Sequence, residues 1–458
     1  MLAQAQAEAL HALGAEAVTL FALAMARHVA GLRPESSSPA TPSGMVPVYE
    51  KPAAPKRRRK KPGAKAGHAG ARRPTPAKID QQVEHRLDVC PCCGGALQRC
   101  KRQRQRIIED IPRQITPIVT EHTIHRDYCP SCKKHVEPVV PDAMPNATLG
   151  HNVMALSSWF HYGLGVTIGQ VRDILGSHLH TQVSAGGLVD GWRRLAEAIE
   201  PWHEQIAQEA KEHAVLHADE TGWRVNGQTH WLWCFANQRC CYYQIDQSRG
   251  SPALQKFFTE AFAGTLVTDF WRAYESVVVE DRQYCLPHLL RELLKVDERN
   301  DSAEWQAFAK QLRRLVRDGI RLRKRADFTP ARYASRIRLI HRRLCALADA
   351  TYDDADARRL GERISRHRDH LFTFLDKVEV PFDNNHAERQ IRPAVIIRKN
   401  SLCNRSGDGA RTQAVLMSVY RTLRLRGHDP TKTIAGALQT LLQTGTLPTL
   451  PAENVAEG

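Results

Sequence analysis

The chain has 458 residues, enough for about three domains of ordinary size. Hydrophobic residues make up 42% of it and charged residues 25%, a balance typical of globular proteins, and the formal net charge is +16 at pH 7. This composition excludes a wholly disordered, collagen-like or membrane-embedded chain, and we expect no membrane partner, since no run of about 18 apolar residues is present. A net positive charge of this size favours polyanions without specifying which one.

The first 80 residues are predicted to form a helix followed by a basic arm. Residues 1–32 favour an amphipathic helix and lack the basic start of a signal peptide. Residues 33–80 read as a Pro-rich linker, in which 51–80 carry eleven Lys and Arg against a single acid. This segment is either a solvated linker or an arm that grips phosphates. The second interpretation depends on its densest cluster, which consists of Arg57, Arg58, Arg59, Lys60 and Lys61.

Cysteine usage predicts a zinc site in residues 81–145. Twelve cysteines in a chain without an export signal indicate a reducing compartment, so we expect a cytoplasmic, nucleoid-associated protein in which paired cysteines bind metal. Two Cys-x-x-Cys pairs then predict the two knuckles of a DNA-binding zinc ribbon, with Zn²⁺ as a structural ion. The predicted ligands are Cys90, Cys93, Cys129 and Cys132.

Some ligand choices in this segment stay open. Cys92 lies inside the first knuckle, although the spacing of the pair 90/93 is preferred. His85 and His135 are alternative ligands, and Cys100 is expected to be a free thiol. The competing interpretation of the whole cluster is coincidental cysteines with one disulfide.

The rest of the chain alternates between helical and strand patterns. Residues 146–212 predict a helical connecting region. Residues 213–287 predict the first part of a catalytic core, with a hairpin that turns at Asn226-Gly227. The remaining predictions are strands at 213–219, 240–246, 264–269 and 284–286, a helix at 254–262, a basic helical insertion at 288–375, the last part of the core at 376–430 and a C-terminal helix and tail at 431–458. Pro393 is expected to end or kink the helix that starts near residue 383.

Three acids occupy positions that such a fold would bring together. Asp219 and Asp269 each end an apolar strand, and Glu388 lies on a helix. This order predicts a multidomain α/β protein with a ribonuclease H-like, retroviral integrase-like core. Clustered carboxylates suit Mg²⁺ or Mn²⁺, and two such ions assist displacement at phosphorus.

Each acid also has an ordinary structural interpretation. Asp219 would serve as a strand-end cap, and Asp269 would cap a helix near Trp271. Glu388 would pair with Arg392 four residues later on the same helix. Asp383 is the main rival for the third acidic position.

Several motifs in order resemble one family. They are His217-Ala-Asp219-Glu-Thr221, Thr268–Tyr274, Asp383–Arg389 followed by Arg398-Lys-Asn400, and Lys61–His68 before the cysteine pairs. Over roughly residues 50–445 the chain resembles the transposases of the insertion-sequence sixty-six family. The resemblance implies a DDE transposase in which Asp219, Asp269 and Glu388 form the metal-binding triad.

The resemblance also implies how the protein acts. It would bind the terminal inverted repeats of its element as a homo-oligomer on DNA, cleave a strand and transfer it to target DNA, with accessory proteins from the same element. Residues expected to hold phosphates near the site are Arg389, Arg392, Arg398 and Lys399. The family's Cys-Trp-Ala-His motif appears as Cys285-Leu-Pro-His288, so His288 is either a structural histidine or close to the scissile phosphate.

Two other function classes compete with the transposase. One is a non-catalytic zinc-ribbon regulator derived from a transposase, against which the intact set of three acids argues. The other is a ribonuclease H-type nuclease without strand transfer, against which the long insertion and the amino-terminal DNA-binding region argue.

Overall fold

A computed structural model describes residues 76–98, 105–112, 115–325 and 327–454. The predicted helix 1–32, the basic cluster 57–61 and Cys100 lie outside the described residues.

Each cysteine pair sits in a tight turn. At the first pair, Val89 and Ala96 form an isolated antiparallel bridge, and Gly94 closes the turn with a φ of +70° that glycine adopts at low cost. The second pair spans a hairpin of two short antiparallel strands, β1 (Asp127–Cys129) and β2 (Lys134–Val136). Both turns are local structures that the spacing of the cysteines predicts.

Helices fill the region before the main sheet, as the periodicity predicts. A capping box begins the second of them, in which Thr167 and Gln170 each satisfy a backbone N–H of the other. Trp192 and Leu195 are fully buried at the spacing of one helix face. The helices are α1 (His151–Ser158), extended by a π-helical turn at Trp159–Gly163, α2 (Ile168–His178), α3 (Ala185–Ala198) and α4 (Glu200–Glu212).

A five-stranded mixed sheet follows, with a short helix inserted after its third strand. The elements in chain order are β3 (Val215–Val225), β4 (Gln228–Ala236), β5 (Cys241–Asp246), α5 (Ser251–Phe257), β6 (Phe262–Thr268) and β7 (Val279–Tyr284). The spatial order is β5-β4-β3-β6-β7. The first three strands are antiparallel, whereas β6 runs parallel to both β3 and β7. The long strand β3 is therefore at the centre.

Most strand predictions are confirmed, with shifted ends. Asn226 and Gly227 have positive φ angles, as a two-residue hairpin turn requires. The strand predicted at 284–286 instead ends at Tyr284. It begins at Val279, because Val279 and the polar residues Asp281, Arg282 and Gln283 pair with β6 although they follow no apolar alternation. The helix predicted at 254–262 ends at Phe257.

The segment after β7 is helical. Its helices are α6 (Leu286–Asp297), α7 (Ala303–Arg323), α8 (Pro330–Ala348), α9 (Ala355–His367) and α10 (Thr373–Asp376), with a 3-10 turn at Arg368–His370. These helices share a hydrophobic core with Val215, Val267 and Tyr284 of the sheet. The segment therefore packs against the strands and is not a separate lobe.

Three helices complete the chain: α11 (Asn385–Ser401), α12 (Gly407–Leu425) and α13 (Pro430–Thr444). Pro393 was expected to end or kink α11; an end there is wrong, since the helix continues for eight more residues. Ala394 and Ile397 are buried in the core on the far side of this proline. Their burial offsets the backbone hydrogen bond that proline removes.

The two faces of the sheet contact different cores. Leu216 and Leu266 pack in one core, and their neighbours Val215 and Val267 pack in the other. Strand side chains alternate between faces, so odd-numbered residues of β3 share a face with those of β6.

Within the described ranges, no helix is both long enough and apolar enough to cross a bilayer.

Candidate active site

Asp219 and Asp269 lie on neighbouring parallel strands. His217 on β3 is opposite Val267 on β6, so counting two residues on from each places Asp219 beside Asp269. Asp219 is inside β3 and Asp269 directly follows β6. Both acids are half-buried. The alternation of side chains puts them on the same face of the sheet.

The side chain of Asn384 attaches α11 to β3. Its Nδ2 donates to the carbonyl oxygen of Ala218 across 2.8 Å, and its Oδ1 accepts from Nδ1 of His217 across 3.0 Å. His217 is buried, and burial lowers its pKa to about 4, so the ring is neutral with its proton on Nδ1. The first turn of α11, which contains Glu388, is thereby fixed beside the strand of Asp219.

Cys285 connects the same joint to the strand of Asp269. Its backbone N–H donates to the carbonyl oxygen of Thr268 across 2.8 Å. Its sulfur accepts a hydrogen bond from the backbone N–H of Asn384 across 3.3 Å. Three elements that are far apart in sequence, β3, β6 and α11, are thus tied together within one residue of Asp219 and Asp269.

The carboxylates act on one another electrostatically. Burial is the main cause of the raised pKa of Asp219, followed by the charges of Glu220, Asp269 and Glu388. Burial and the charge of Glu220 raise the pKa of Asp269 to about 7, with a smaller contribution from Glu388, while Trp271 and Arg249 oppose the shift. Since like charges disfavour ionisation, this group of acids is one in which a bound cation would be stabilised.

Glu388 is held from the α6 side and not by its own helix. Nη2 of Arg291 donates to its Oε1 across 3.1 Å, and Nδ1 of His288 lies 3.8 Å from the same oxygen. The described ion pairs include none between Glu388 and Arg392, so the alternative interpretation of Glu388 as a partner of Arg392 is not supported. Arg291 reaches Glu388 because α6 starts next to α11 at Cys285 and Asn384.

Asp269 and Asp383 also make local contacts with the backbone. Oδ1 of Asp269 accepts the backbone N–H of Trp271 across 2.9 Å, just before the 3-10 turn Arg272–Ser276, so this acid orders the entry to the turn without capping it. Oδ1 of Asp383 accepts the backbone N–H of Asn385 across 3.1 Å at the start of α11. Glu388 is among the main charges that raise the pKa values of Asp219 and Asp269, whereas Asp383 is not, which favours Glu388 over its rival.

Sequence reasoning assigned Glu220 no role, yet it influences both aspartates. Its carboxylate is buried, accepts 3.2 and 3.0 Å bonds from Arg249, and accepts a 2.6 Å bond from the hydroxyl of Tyr274. Arg249 in turn lies over the rings of Trp231 and Trp271. The sequence contained two hints of this role, since Glu220 belongs to the first motif and Tyr274 ends the second. It could not show that the two side chains meet, because they are 54 positions apart.

The basic residues predicted around the site differ in their surroundings. Arg389, Arg392 and Lys399 are exposed on α11. Nη1 of Arg398 instead donates to Oγ1 of Thr221 across 2.9 Å and to the carbonyl oxygen of Gly222 across 2.6 Å. Arg398 therefore fastens α11 to β3 two residues beyond Asp219, a contact that its exposed neighbours do not make.

The cysteine pairs are formed locally. Sγ of Cys129 and Sγ of Cys132 are 3.2 Å apart, and the N–H of Cys132 lowers the pKa of the Cys129 thiol. The N–H of Cys92, followed by that of Cys93, lowers the pKa of the Cys90 thiol in the same way. Easily ionised paired thiols are suitable zinc ligands.

The four predicted zinc ligands are not gathered around one point. Among the residues that the structure describes, the trio of metal-binding side chains with atoms all within 4.8 Å of one another is Cys285, His288 and Glu388. The set Asp219, Asp269 and Glu388 is not such a trio either, so its sharing of an ion stays a prediction.

Sequence comparisons give the family of the chain. Residues 147–412, more than half of the chain, match the family model described as "Transposase IS66 family". Residues 88–133 match the model described as "zinc-finger binding domain of transposase IS66". The second match supports structural zinc, and together the matches imply DNA as a partner.

Two curated proteins of Sinorhizobium fredii are similar in sequence. Uncharacterized protein y4jD is 23% identical over 416 residues, which cover 81% of this chain and 78% of that protein. Uncharacterized protein y4qI is 26% identical over 272 residues, covering 52% of this chain and 50% of that protein. Neither name states an activity.

Proposed function

The chain belongs to the IS66 family of transposases, and from that premise we propose that it cleaves and transfers DNA strands at Asp219, Asp269 and Glu388. The observation that carries this proposal is geometric: β3 and β6 run side by side toward Asp219 and Asp269, and the Asn384 amide fastens the helix of Glu388 to β3 one residue from Asp219. The raised pKa of Asp219, to which both other acids contribute, agrees with this arrangement. The charges of Asp269 and Glu388 both oppose the ionisation of Asp219. Acids from separate elements that are brought this close are unfavourable without a cation, and this favours a functional reason for the cluster.

The proposal includes a ribonuclease H-like core. Three antiparallel strands followed by two parallel ones, in the order β5-β4-β3-β6-β7, support it. In this arrangement the central strand carries the first acid, its parallel neighbour leads into the second, and a later helix supplies the third.

The residues present fit Mg²⁺ as the resident ion. Asp219, Asp269 and Glu388 would hold it, since carboxylate oxygens are the ligands that Mg²⁺ prefers. When bound, the ion supplies positive charge that stabilises the negative charge developing at a phosphodiester. Glu220 would not serve as a further ligand of the ion, because its carboxylate oxygens already accept hydrogen bonds from Arg249 and Tyr274.

Nearby cations would orient the DNA backbone. Arg389, Arg392 and Lys399 are exposed on the helix that carries Glu388. Phosphate contacts of this kind position a duplex without reading its sequence. The zinc ribbon with Cys90, Cys93, Cys129 and Cys132, together with the basic cluster at 57–61, would bind the inverted repeats that end the element, and a homo-oligomer would join the two ends.

The test is strand cleavage of a labelled element end in Mg²⁺. The variants Asp219→Asn, Asp269→Asn and Glu388→Gln should bind the end as the wild type does and yield no product above the metal-free background. Asp383→Asn is the matched control and should retain cleavage, because the side-chain oxygen of asparagine can still accept the backbone N–H of Asn385. Normal cleavage by Asp219→Asn would refute the mechanism, and loss of cleavage in Asp383→Asn alone would transfer the third role to that residue.

A further inference from the structure

We propose that Cys285, His288 and Glu388 form a second binding site, for a borderline divalent metal ion such as Zn²⁺. One ligand atom from each of the three lies within 4.8 Å of the others. The zinc-ribbon cysteines and the proposed Mg²⁺ carboxylates are different sets, with only Glu388 in common. Binding at this second site does not depend on the proposed function.

The first two ligands are arranged by one turn of helix. Cys285 immediately precedes α6, and His288 lies in its first turn, where its backbone N–H donates to the carbonyl oxygen of Cys285 across 3.2 Å. This places the sulfur and the ring three residues apart, a spacing that recurs in zinc sites. Burial raises the pKa of the Cys285 thiol to about 12 in the metal-free protein, so an ion that binds this sulfur displaces its proton.

The ring of His288 has a free ligand atom that faces the third member. Nδ1 of His288 is buried and makes no hydrogen bond within the described residues. It lies 3.8 Å from Oε1 of Glu388. A buried, unpartnered ring nitrogen is costly unless something binds it. A metal ion between the nitrogen and the carboxylate would remove that cost.

The donor set selects the class of ion. A thiolate, a neutral imidazole and a carboxylate carry two negative charges, which match a divalent cation. Sulfur and nitrogen donors favour Zn²⁺ over Mg²⁺, which requires oxygen. Three protein ligands leave one tetrahedral position open.

Arg291 competes with the metal for the carboxylate. Its guanidinium donates to Oε1 of Glu388 across 3.1 Å, but its side chain is 53% exposed and free to turn toward solvent. The same oxygen can thus accept either the guanidinium or an ion. An ion at this site also takes the carboxylate that the proposed Mg²⁺ site uses. That competition, unlike the binding, rests on the proposed function.

The experiment measures zinc per chain in the purified full-length protein after dialysis at a fixed low concentration of free Zn²⁺. Cys285→Ser and His288→Asn should each hold one zinc ion fewer than the wild type. The matched control is Cys345→Ser, an exposed cysteine on α8, which should hold as much zinc as the wild type. Arg291→Gln should bind this zinc more tightly, because a competing cation has been removed.

Further variants separate the alternatives. Asp219→Asn should retain the wild-type zinc content whether or not the proposed catalytic role is correct. Loss of zinc in Asp219→Asn would instead place the ion among the carboxylates and overturn the proposal. So would wild-type zinc content in both Cys285→Ser and His288→Asn. Circular dichroism checks that each variant folds. If Cys285→Ser does not fold, the result of His288→Asn decides, because the His288 side chain is one-third exposed and its replacement is better tolerated.

Discussion

The side-chain amide of Asn384 donates a hydrogen bond to the carbonyl oxygen of Ala218 across 2.8 Å. This contact joins two elements separated by 166 positions and lies one residue from Asp219. The position of Glu388, one helical turn further along α11, depends on it. The joint between strand and helix therefore has a mechanical role next to the proposed catalytic carboxylates.

The first prediction concerns this joint. Asn384→Ala should lower the free energy of unfolding by about 1–3 kcal/mol, because it leaves the buried Nδ1 of His217 without its acceptor. Strand cleavage should fall further than stability alone explains, since Glu388 loses its fixed position. Chemical denaturation and the cleavage assay measure the two effects. Asn385→Ala is the control. An equal loss of stability and of cleavage in both variants would contradict the role of the joint.

The second prediction concerns pH. Because the pKa of folded Asp269 is raised to about 7, the folded state holds a proton that the unfolded chain releases near pH 4. The contribution of this group to stability is therefore present at acidic pH and is lost as the pH rises through about 7. Asp269→Asn should match the wild type near pH 4, gain stability relative to it as the pH rises from about 4 to 7, and unfold at a higher temperature at pH 8, without added divalent ions.

Two comparisons check the origin of this effect. Glu260→Gln removes an exposed acid, and its unfolding temperature should differ from that of the wild type by the same small amount at both pH values. Added Mg²⁺ should stabilise the wild type at pH 8 more than Asp269→Asn, since an ion that binds the folded state raises its stability. If the difference in unfolding temperature between the wild type and Asp269→Asn does not change with pH, Asp269 is not protonated in the folded protein.

The third prediction identifies the ligand in the first zinc knuckle. Cys90→Ser and Cys93→Ser should each lose the structural zinc and with it binding to element ends, because that ion stabilises the folded ribbon. Cys92→Ser should keep both, since the preferred spacing pairs Cys90 with Cys93. Zinc analysis and a gel-shift assay suffice. Zinc loss in Cys92→Ser with retention in Cys93→Ser would reverse the assignment.

The fourth prediction tests how closely β6 approaches β3. A Cβ atom at Gly264 would lie 2.7 Å from the carbonyl oxygen of Ala214, which accepts the backbone N–H of Thr265. Gly264→Ala should therefore destabilise the protein by about 1–3 kcal/mol through overpacking. Thermal unfolding provides the measurement.

The control for this substitution lies in a helix with free space. Gly436 is within α13, and nothing lies within 4 Å of an added Cβ atom. Gly436→Ala should stabilise the protein by about 0.5–1 kcal/mol, because alanine loses less conformational freedom in a helix. Similar effects in both variants would mean that the close approach of the strands is unimportant.

Local patterns in the sequence were enough to predict several elements. The Asn226-Gly227 turn, the two cysteine turns and most of the five strands depend on residues close together in the chain. Local propensity acts over that distance, so their existence and type are encoded nearby. Their ends depend on tertiary contacts: β7 begins at Val279 because it pairs with β6 and not because of its own pattern.

Only the tertiary structure determines which residues that are distant in sequence come into contact. Sequence placed Asp219, Asp269 and Glu388 on two strands and a helix. It did not show that Arg291 would replace Arg392 as the partner of Glu388, that Glu220 would raise the pKa of Asp269, or that α11 would pass through Pro393. These outcomes depend on burial and on contacts between residues tens to more than a hundred positions apart. The free energies of such contacts exceed local preferences but leave no periodic signal in the sequence.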